Sequence, residues 1–327
     1  MKKIFFAGDM RSPFIKGDSE LLKEDHDVFI FDAVFLKPTQ APLYLFKCFQ
    51  QVLNIRNSDL VWIWFADIPA LPIMIISKLF HKPTVVNVGG FEVSGIPEIN
   101  YGNQLKPIRG WISRWIIRNA SAVIIPSPIY EEKIKNLIPT ANVYMIPNFI
   151  DTSMCDTQLP QKEELVVTAV CSKFAYNYKG IPMFQRVSNM IPYKSIILEH
   201  LPRDEYINTL KRAKVYCQLS RDETFGISLV EAMACGCVPV VSDKGALPWI
   251  VGDSGIIVPY GNFIYITADA IERAMTMDGS KARERARYFS REKKQLSVGT
   301  LIKSLTRRKV VADFSTGRMC PSEPFEV

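Results

Sequence analysis

Residues 219–241 read LSRDETFGISLVEAMACGCVPVV, and this stretch decides how the rest of the chain is interpreted. An apolar strand is predicted to end near Leu219, a polar loop follows, Gly226 permits a tight turn, and a helix then starts. The next buried strand begins at Val238. A helix start carries unpaired backbone N–H groups and a partial positive charge, which together suit a diphosphate. The stretch therefore predicts a strand–loop–helix–strand unit with an anion-binding turn.

Two glutamates accompany this turn. Glu223 lies in the loop just before the helix, and Glu231 lies eight residues later, within the helix. One carboxylate is expected near the sugar of a bound nucleotide sugar, while the other can accept hydrogen bonds from ribose hydroxyls. Taken alone, two acids at this spacing fit equally well a capped helix whose carboxylates are merely solvated.

The same alternation of strand and helix extends over most of the chain. Short apolar segments are predicted as strands at residues 4–7, 27–31, 60–65, 84–88, 122–125, 143–146, 165–171, 195–198, 215–219, 238–241 and 255–258. Predicted helices between them include residues 69–80, 109–119, 129–137, 181–190, 204–213, 227–234 and 264–277. Continuous apolar strands separated by helices are typical of parallel sheets covered on both faces.

The polar segment 151–164 interrupts this pattern and is interpreted as a linker. We therefore expect an α/β protein with two Rossmann-like, doubly wound parallel-sheet domains that face each other across a ligand cleft. The predicted division is an N-terminal domain (1–150), the linker (151–164), a second domain (165–290), and a C-terminal segment (291–327).

The stretch 219–241 resembles the donor-site signature of glycosyltransferase family 4, the retaining GT-B enzymes also called glycosyl transferases group 1. The matching residues are Glu223, Phe225, Gly226, Glu231, Ala232, Met233, Ala234, Gly236, Pro239 and Val240. The resemblance implies a GT-B fold and a hexosyltransferase-type reaction. It further implies that residues 1–150 form the acceptor-side domain, that 165–290 form the donor domain, and that 291–327 supply a helix that crosses back to the first domain and a tail. It also implies a UDP-, GDP- or ADP-sugar donor, retention of anomeric configuration, and neither a metal nor another cofactor.

Carried over residue by residue, the resemblance implies roles for several positions. Glu223, Lys179 and Lys173 would form the catalytic set: the lysines offset the charge of the departing diphosphate, and Glu223 orients the sugar. The family usually has Arg where this chain has Lys173, and a lysine supplies a point charge instead of a bidentate fork. Donor contacts are expected from Thr224, Phe225, Gly226, Ile227, Glu231, Gly8 and Glu92.

Several of these positions have a second interpretation. Lys173 and Lys179 are also compatible with solvated loop lysines, and a glycine such as Gly8 is common after a first strand. Glu92, after Gly89-Gly90-Phe91, could contact the acceptor or the transferred sugar, or simply end a polar loop. The chain also departs from the family: Phe149 replaces a usual glycine, and the segment 245–249 lacks a usual acid. A nucleotide-sugar-binding protein without transfer activity therefore remains the alternative.

The net charge of +7 is concentrated near the C-terminus. Residues 279–309 contain eleven Lys or Arg and two Glu. This stretch is either a solvated helix face or a surface that contacts anionic lipid or an anionic acceptor. A glycan, a lipid-linked sugar or a small molecule are the acceptors considered. No aromatic-interleaved platform or recognition helix indicates nucleic-acid binding.

Cysteine usage and hydrophobicity bear on the location of the protein. The seven cysteines are odd in number and lie in apolar contexts, which favours reduced thiols and a cytoplasmic location. The apolar segment 61–80 is interrupted by Asp67, Lys78 and two prolines, so we interpret it as strand, turn and helix and not as a membrane span. Any membrane association is thus expected to be peripheral, on the cytoplasmic face.

Overall fold

The computed structural model describes residues 1–34, 38–171, 175–261 and 263–307. The strands of the first sheet are β1 (Lys3–Gly8), β2 (Asp27–Asp32), β3 (Leu60–Trp64), β4 (Thr84–Asn87), β5 (Ala122–Ile125) and β6 (Val143–Met145). They pair in the order β2-β1-β3-β4-β5-β6, and all pairs are parallel. We call this sheet and the helices on its faces the first lobe.

Helices cover both faces of the first sheet. They are α1 (Pro13–Asp25), α2 (Ala41–Gln50), α3 (Val52–Asn57), α4 (Ala70–Leu79), α5 (Pro107–Asn119) and α6 (Ile129–Leu137). Helices α2 to α6 share one apolar core with one face of the sheet, while α1 packs on the other face. The strands are buried on both sides, which explains why β3 reads as an uninterrupted apolar run.

The second lobe repeats this arrangement with five strands. They are β7 (Glu163–Val170), β8 (Lys194–Glu199), β9 (Ala213–Gln218), β10 (Val238–Ser242) and β11 (Ile256–Val258). Their order is β11-β10-β9-β7-β8, again with parallel pairing throughout. The helices that follow or separate them are α7 (Tyr176–Lys179), α8 (Ile181–Ser188), α9 (Arg203–Arg212), α10 (Ile227–Ala234), α11 (Leu247–Val251) and α12 (Ile264–Thr276).

Two further helices close the described chain. Helix α13 (Ser280–Ala286) packs in the core of the second lobe, and α14 (Arg291–Thr306) packs on the first lobe beside α1. Val298, Leu301 and Ile302 of α14 share a core cluster with the inner face of β1 and β3. The chain thus returns to its first half after completing the second.

The predicted fold class is confirmed: two parallel α/β sheets, one in each half, are present. The predicted strands and helices are all found, with ends that differ by a few residues. Helices α1, α7 and α11 were not predicted. Helices α2 and α3 were also missed. Their apolar residues occupy both faces of the helix, so the sequence lacks the one-sided periodicity by which a surface helix is recognised.

Candidate active site

The centre of the cleft on the second lobe is an ion pair between Lys179 and Glu223. The Lys179 ammonium donates to Glu223 Oε2, and both side chains are largely buried. Gly180 makes this approach possible: its φ is +72°, and a Cβ there would lie 2.0 Å from the Leu219 carbonyl oxygen. The chain can therefore turn directly against the end of β9, which places Lys179 beside the loop that carries Glu223.

The Glu223 side chain and backbone are held by neighbouring groups. Gln218 Nε2 donates to Glu223 Oε2 at 2.6 Å, and the Ser220 hydroxyl lies 3.5 Å from the same oxygen. The Ala246 N–H donates to the Glu223 carbonyl at 2.7 Å. A glutamate held at one carboxylate oxygen and at its backbone carbonyl in this way is pre-positioned for a ligand and does not simply face solvent.

The start of α10 lies immediately after this loop, as predicted. The N–H groups of Leu229 and Val230 donate back to the Gly226 carbonyl. Within the described part of the chain, the N–H groups of Ile227 and Ser228 have no acceptor. Two unpaired N–H groups at a helix start, beside a buried ammonium, can bind an anionic group such as a phosphate.

Glu231 projects from the same helix and is paired with a residue that sequence reasoning missed. Arg203, at the start of α9, lies 2.6 Å from Glu231 Oε1 and stacks on the ring of Tyr206. The Glu231 side chain is buried while that of Arg203 is half exposed. A ligand hydroxyl that donates to Glu231 must therefore share the carboxylate with the Arg203 guanidinium or displace it. Nothing local in the sequence links residues 203 and 231.

The first lobe meets this site at the Gly89–Gly90 turn. The Thr224 hydroxyl donates to the Gly89 carbonyl at 2.7 Å, across the cleft. Gly90 has φ +101°, and a Cβ there would lie 2.1 Å from the Thr224 hydroxyl oxygen. Any other residue at position 90 would thus push the two lobes apart.

Glu92 holds this turn from within the first lobe. Its Oε1 accepts from the N–H groups of Gly89 at 3.1 Å and Ala66 at 3.2 Å. The side chain is buried, and Oε2 has no hydrogen-bond partner among the described residues. Burial raises the pKa of Glu92 to about 7. The carboxyl group can therefore hold or accept a proton near neutral pH, and one of its oxygens is buried without a hydrogen-bond partner among the described residues.

Asp222, next to Glu223, is a second residue that sequence reasoning missed. Its Oδ1 accepts from the Glu223 N–H at 3.0 Å. Its Oδ2 accepts from the Lys133 ammonium at 2.8 Å and the Ser94 hydroxyl at 3.1 Å, both in the first lobe. Asp222 thus joins the two lobes beside the site. The sequence did contain a signal for Asp222. Two adjacent acids in a loop next to a buried strand each require a partner when the loop is buried.

An aromatic contact also crosses the cleft. Tyr101 of the first lobe stacks on Tyr178 of the second, with ring centroids 4.3 Å apart and an interplanar angle of 23°. Phe91 packs edge-on against the other side of Tyr101 at 4.9 Å. Tyr178 precedes Lys179 in the chain, and Phe91 follows the Gly89–Gly90 turn. The three rings therefore place apolar surface beside the candidate site.

The remaining predicted site residues lie elsewhere or outside the described chain. Lys173 falls outside the described residues. Gly8 ends β1, and a Cβ there would lie 2.7 Å from Ile15 and 3.2 Å from Trp64. Close packing therefore accounts for a glycine at this position. No hydrogen bond or ion pair connects Gly8 with Lys179 or Glu223 in the described part of the chain.

The basic C-terminal stretch is largely bound to the protein itself. Arg285 donates to the carbonyls of Trp249 and Ile250 and stacks on aromatic rings. Arg291 pairs with Glu24 at 2.6 Å and lies over the Phe149 ring. The two aromatic residues that depart from the family pattern, Phe149 and Trp249, thus serve as stacking partners for these cations.

Comparison with known proteins agrees with this geometry. Residues 188–293 match the family Glycosyl transferases group 1. A tRNA-queuosine alpha-mannosyltransferase of Drosophila melanogaster is 28% identical over 105 residues, which is 32% of this chain and 26% of that protein. The chain therefore matches only about a quarter of the length of that curated relative.

Solved structures resemble the whole described fold. Sucrose-phosphate synthase from Thermosynechococcus elongatus superposes with a TM-score of 0.71 at 15% identity, covering 93% of this chain and 99% of that one. HepE of Anabaena, in complex with UDP and glucose, gives a TM-score of 0.71 at 16% identity and covers 93% and 100%. These likenesses show the GT-B fold, and residues 188–293 of the second lobe are similar to the Glycosyl transferases group 1 family.

Proposed function

We propose that this chain, whose residues 188–293 match the family Glycosyl transferases group 1, transfers a hexose from a nucleotide-diphosphate sugar to an acceptor bound against the first lobe. The observation that carries the proposal is the buried Lys179–Glu223 pair beside the unpaired N–H groups of Ile227 and Ser228. A site for an anion and a site for hydroxyl groups then adjoin, as a sugar diphosphate requires.

The proposed reaction follows from where charge develops. As the sugar–phosphate bond breaks, negative charge grows on the leaving diphosphate, where Lys179 and the helix N–H groups stabilise it. Glu223, released from Lys179 by the diphosphate, accepts hydrogen bonds from the sugar and orients it. The acceptor hydroxyl then attacks the anomeric carbon from the side of the leaving group and passes its proton to the departing phosphate oxygen, so that the anomeric configuration is retained. Glu231 is proposed to accept from the ribose, and Glu92 to contact the transferred sugar or the acceptor.

The donor and acceptor are proposed by class. HepE was solved with UDP and glucose, which supports a UDP-sugar donor, with GDP- and ADP-sugars as the other candidates. Metal-independent transfer, a cytoplasmic location and a glycan or lipid-linked acceptor are part of the same proposal. The tRNA-modifying relative matches only a segment of similar length to the donor domain, so it supports donor use and not the choice of acceptor.

The test is transfer from a panel of nucleotide sugars with variants of the central pair. We expect Lys179→Ala and Glu223→Gln each to lower kcat about 100-fold or more, because each removes a group that acts on the transition state. Lys281→Ala, at an exposed position of α13, is the matched control and should keep full activity. Product anomeric configuration by NMR and activity in a chelator test retention and metal independence.

The alternative, a protein that binds nucleotide sugars without transferring them, predicts a different result. A nucleotide sugar would raise the melting temperature of the chain by mass action, yet neither transfer nor donor hydrolysis would be detected. Equal activity of the wild type and both site variants would contradict the proposed site itself.

A further inference from the structure

Four helices of the first lobe present an unusual outer surface. We call α2, α3, α4 and α5 together the outer helical layer. All four contribute buried residues to the same core cluster on one face of the first sheet, and α4 packs against each of the other three. Their outer sides therefore form one continuous surface that points away from the sheet.

Helices α2 and α3 are apolar on both sides. Tyr44, Cys48 and Ile55 point into the core. On the opposite side, Phe46, Phe49 and Leu53 are exposed, together with Leu43 and Leu45. A helix that is apolar all round is normally buried on all sides. Among the residues that the structure describes, the outer side of these helices is therefore an exposed apolar surface of the kind that binds a partner.

The apolar surface continues over α4 and α5. Ile75 and Leu79 are exposed on α4, and Ile108 and Trp111 on α5. Nine of the twenty large apolar side chains that are exposed in the described part of the chain lie on these four helices. Such a concentration marks an interaction surface and not a scatter of single residues.

The charge of the outer helical layer has one sign. The four helices contain six Lys or Arg and no Asp or Glu. Lys47, Arg56 and Arg118 are exposed among the apolar residues. Helix α6, which follows along the same sheet face, has Glu131 and Glu132 in its first turn, so the cationic surface ends there. Cations around exposed aromatic and aliphatic residues match an anionic membrane interface.

The outer helical layer reaches the cleft at the start of α5. Arg109, between exposed Ile108 and the core residue Gly110, forms an ion pair with Asp67 and lies 5.8 Å from the centre of the Phe91 ring. Phe91 is adjacent to Glu92 of the site. The surface and the candidate site thus share one helix end.

We propose that the outer helical layer docks on the surface of an anionic phospholipid bilayer, with its aromatic and aliphatic side chains in the headgroup region. None of the helices in the described ranges is both long and apolar enough to cross a membrane, so the contact is peripheral. Docking here would present the cleft to an acceptor sugar on a lipid carrier, and only this last step rests on the proposed function. The membrane surface is therefore α2–α5, and not residues 279–309, whose arginines largely bind the protein itself.

The test is co-sedimentation of the full chain with vesicles of phosphatidylcholine alone or mixed with phosphatidylglycerol, without nucleotide sugar. We expect binding to the mixed vesicles that weakens with salt. Phe46→Ser and Phe49→Ser should each weaken binding about tenfold, because each removes a large apolar group that docking would bury in the bilayer. Lys47→Ala and Arg118→Ala should each weaken it about fivefold.

Matched controls lie on the C-terminal stretch. Leu296 on α14 is 74% exposed, against 72% for Phe49, so Leu296→Ser controls for loss of an exposed apolar side chain. Lys281→Ala controls for loss of an exposed cation. Both should bind vesicles as the wild type does, and all variants should keep the wild-type melting temperature and its shift with donor nucleotide.

Three results would overturn the proposal. The first is no preference for anionic vesicles, and the second is unchanged binding in the Phe46→Ser/Phe49→Ser double variant. The third is a wild type that self-associates or binds tRNA through this surface and ignores vesicles, since the layer would then be a protein or RNA interface. The two proposals can fail separately. If no nucleotide sugar raised the melting temperature but the chain still bound anionic vesicles, the proposed function would be refuted and the docking surface would be supported.

Discussion

The first lobe is joined to the C-terminal half of the chain along two seams of different chemistry. Behind the cleft, α14 packs apolar residues against the first lobe, and the Lys294 ammonium lies 2.6 Å from an Asp18 oxygen, with side chains only 2% and 3% exposed. Trp64 Nε1 donates to the other Asp18 oxygen at 3.2 Å. We call this the back seam.

The cleft seam consists of a few polar contacts. Asp222 accepts from Lys133 and Ser94, Thr224 donates to Gly89, and the Ser127 hydroxyl donates to the Thr224 carbonyl at 2.7 Å. Water or a ligand can replace each of these hydrogen bonds at little net cost.

The difference indicates which seam can open. Separating the back seam would expose apolar surface and leave a buried charge unpaired, which costs several kcal/mol. Opening the cleft seam exchanges hydrogen bonds between lobes for hydrogen bonds to water. We therefore expect the lobes to open at the cleft to admit the donor and to stay joined through α14.

The largest expected effect concerns the back seam. Lys294→Met removes the cation and leaves the buried Asp18 carboxylate unpaired, so we expect the free energy of unfolding to fall by about 3–5 kcal/mol. Urea unfolding followed by circular dichroism measures the change. The double variant Lys294→Met/Asp18→Leu should recover most of it. A loss below about 1 kcal/mol in the single variant would show that the back seam is no firmer than the cleft seam.

The next effect concerns the pH dependence of the cleft seam. Burial raises the pKa of Glu92 from 4.5 to about 7, so the folded chain binds this proton more tightly than the unfolded chain. The free energy of unfolding should therefore fall as pH rises from about 4.5 through about 7, by roughly 3 kcal/mol in all. Glu92→Gln should abolish this component.

The measurement is the free energy of unfolding at several pH values for the wild type and Glu92→Gln. Glu132→Gln, an exposed glutamate on α6, is the control and should follow the wild type. An identical pH slope in the wild type and Glu92→Gln would contradict the assignment of this titration to the cleft.

The smallest expected effect tests the cleft seam directly. Asp222→Asn keeps the shape but loses the charge that pairs with Lys133, so we expect the closed form to lose about 1–3 kcal/mol relative to the open form. Small-angle scattering without ligand should give a larger radius of gyration than the wild type. Asp243→Asn, at an exposed position of the second lobe, is the control. An unchanged radius of gyration would show that the Asp222–Lys133 pair does not hold the cleft closed.

Prediction from sequence succeeded where the signal was local. The strand–loop–helix unit at 219–241, the start of α10 at Ile227 and the parallel alternation in both halves follow from apolar periodicity and turn chemistry within about a dozen residues. The roles assigned to Glu223, Lys179 and Glu231 remain predictions, although the structure places Lys179 and Glu223 in contact. The role of Lys173 also remains a prediction.

Prediction failed where a contact joins distant parts of the chain. The partner of Glu231 is Arg203, the partners of Asp222 are in the other lobe, Arg285 lies over Trp249, and Arg291 binds Phe149 and Glu24. A count of charges in one segment does not tell which of its cations the fold uses for such contacts, and the contact of residues 279–309 with anionic lipid stays a prediction.

The sequence by itself determined the order of the elements, the fold class and the loop and helix start at Gly226–Ile227, because each depends on neighbours along the chain. Only the tertiary structure decided which charges are paired, which carboxyl group is buried with a raised pKa, and which apolar helix side is left exposed. Those properties depend on how residues far apart in the chain are brought together and removed from water, which no local pattern encodes.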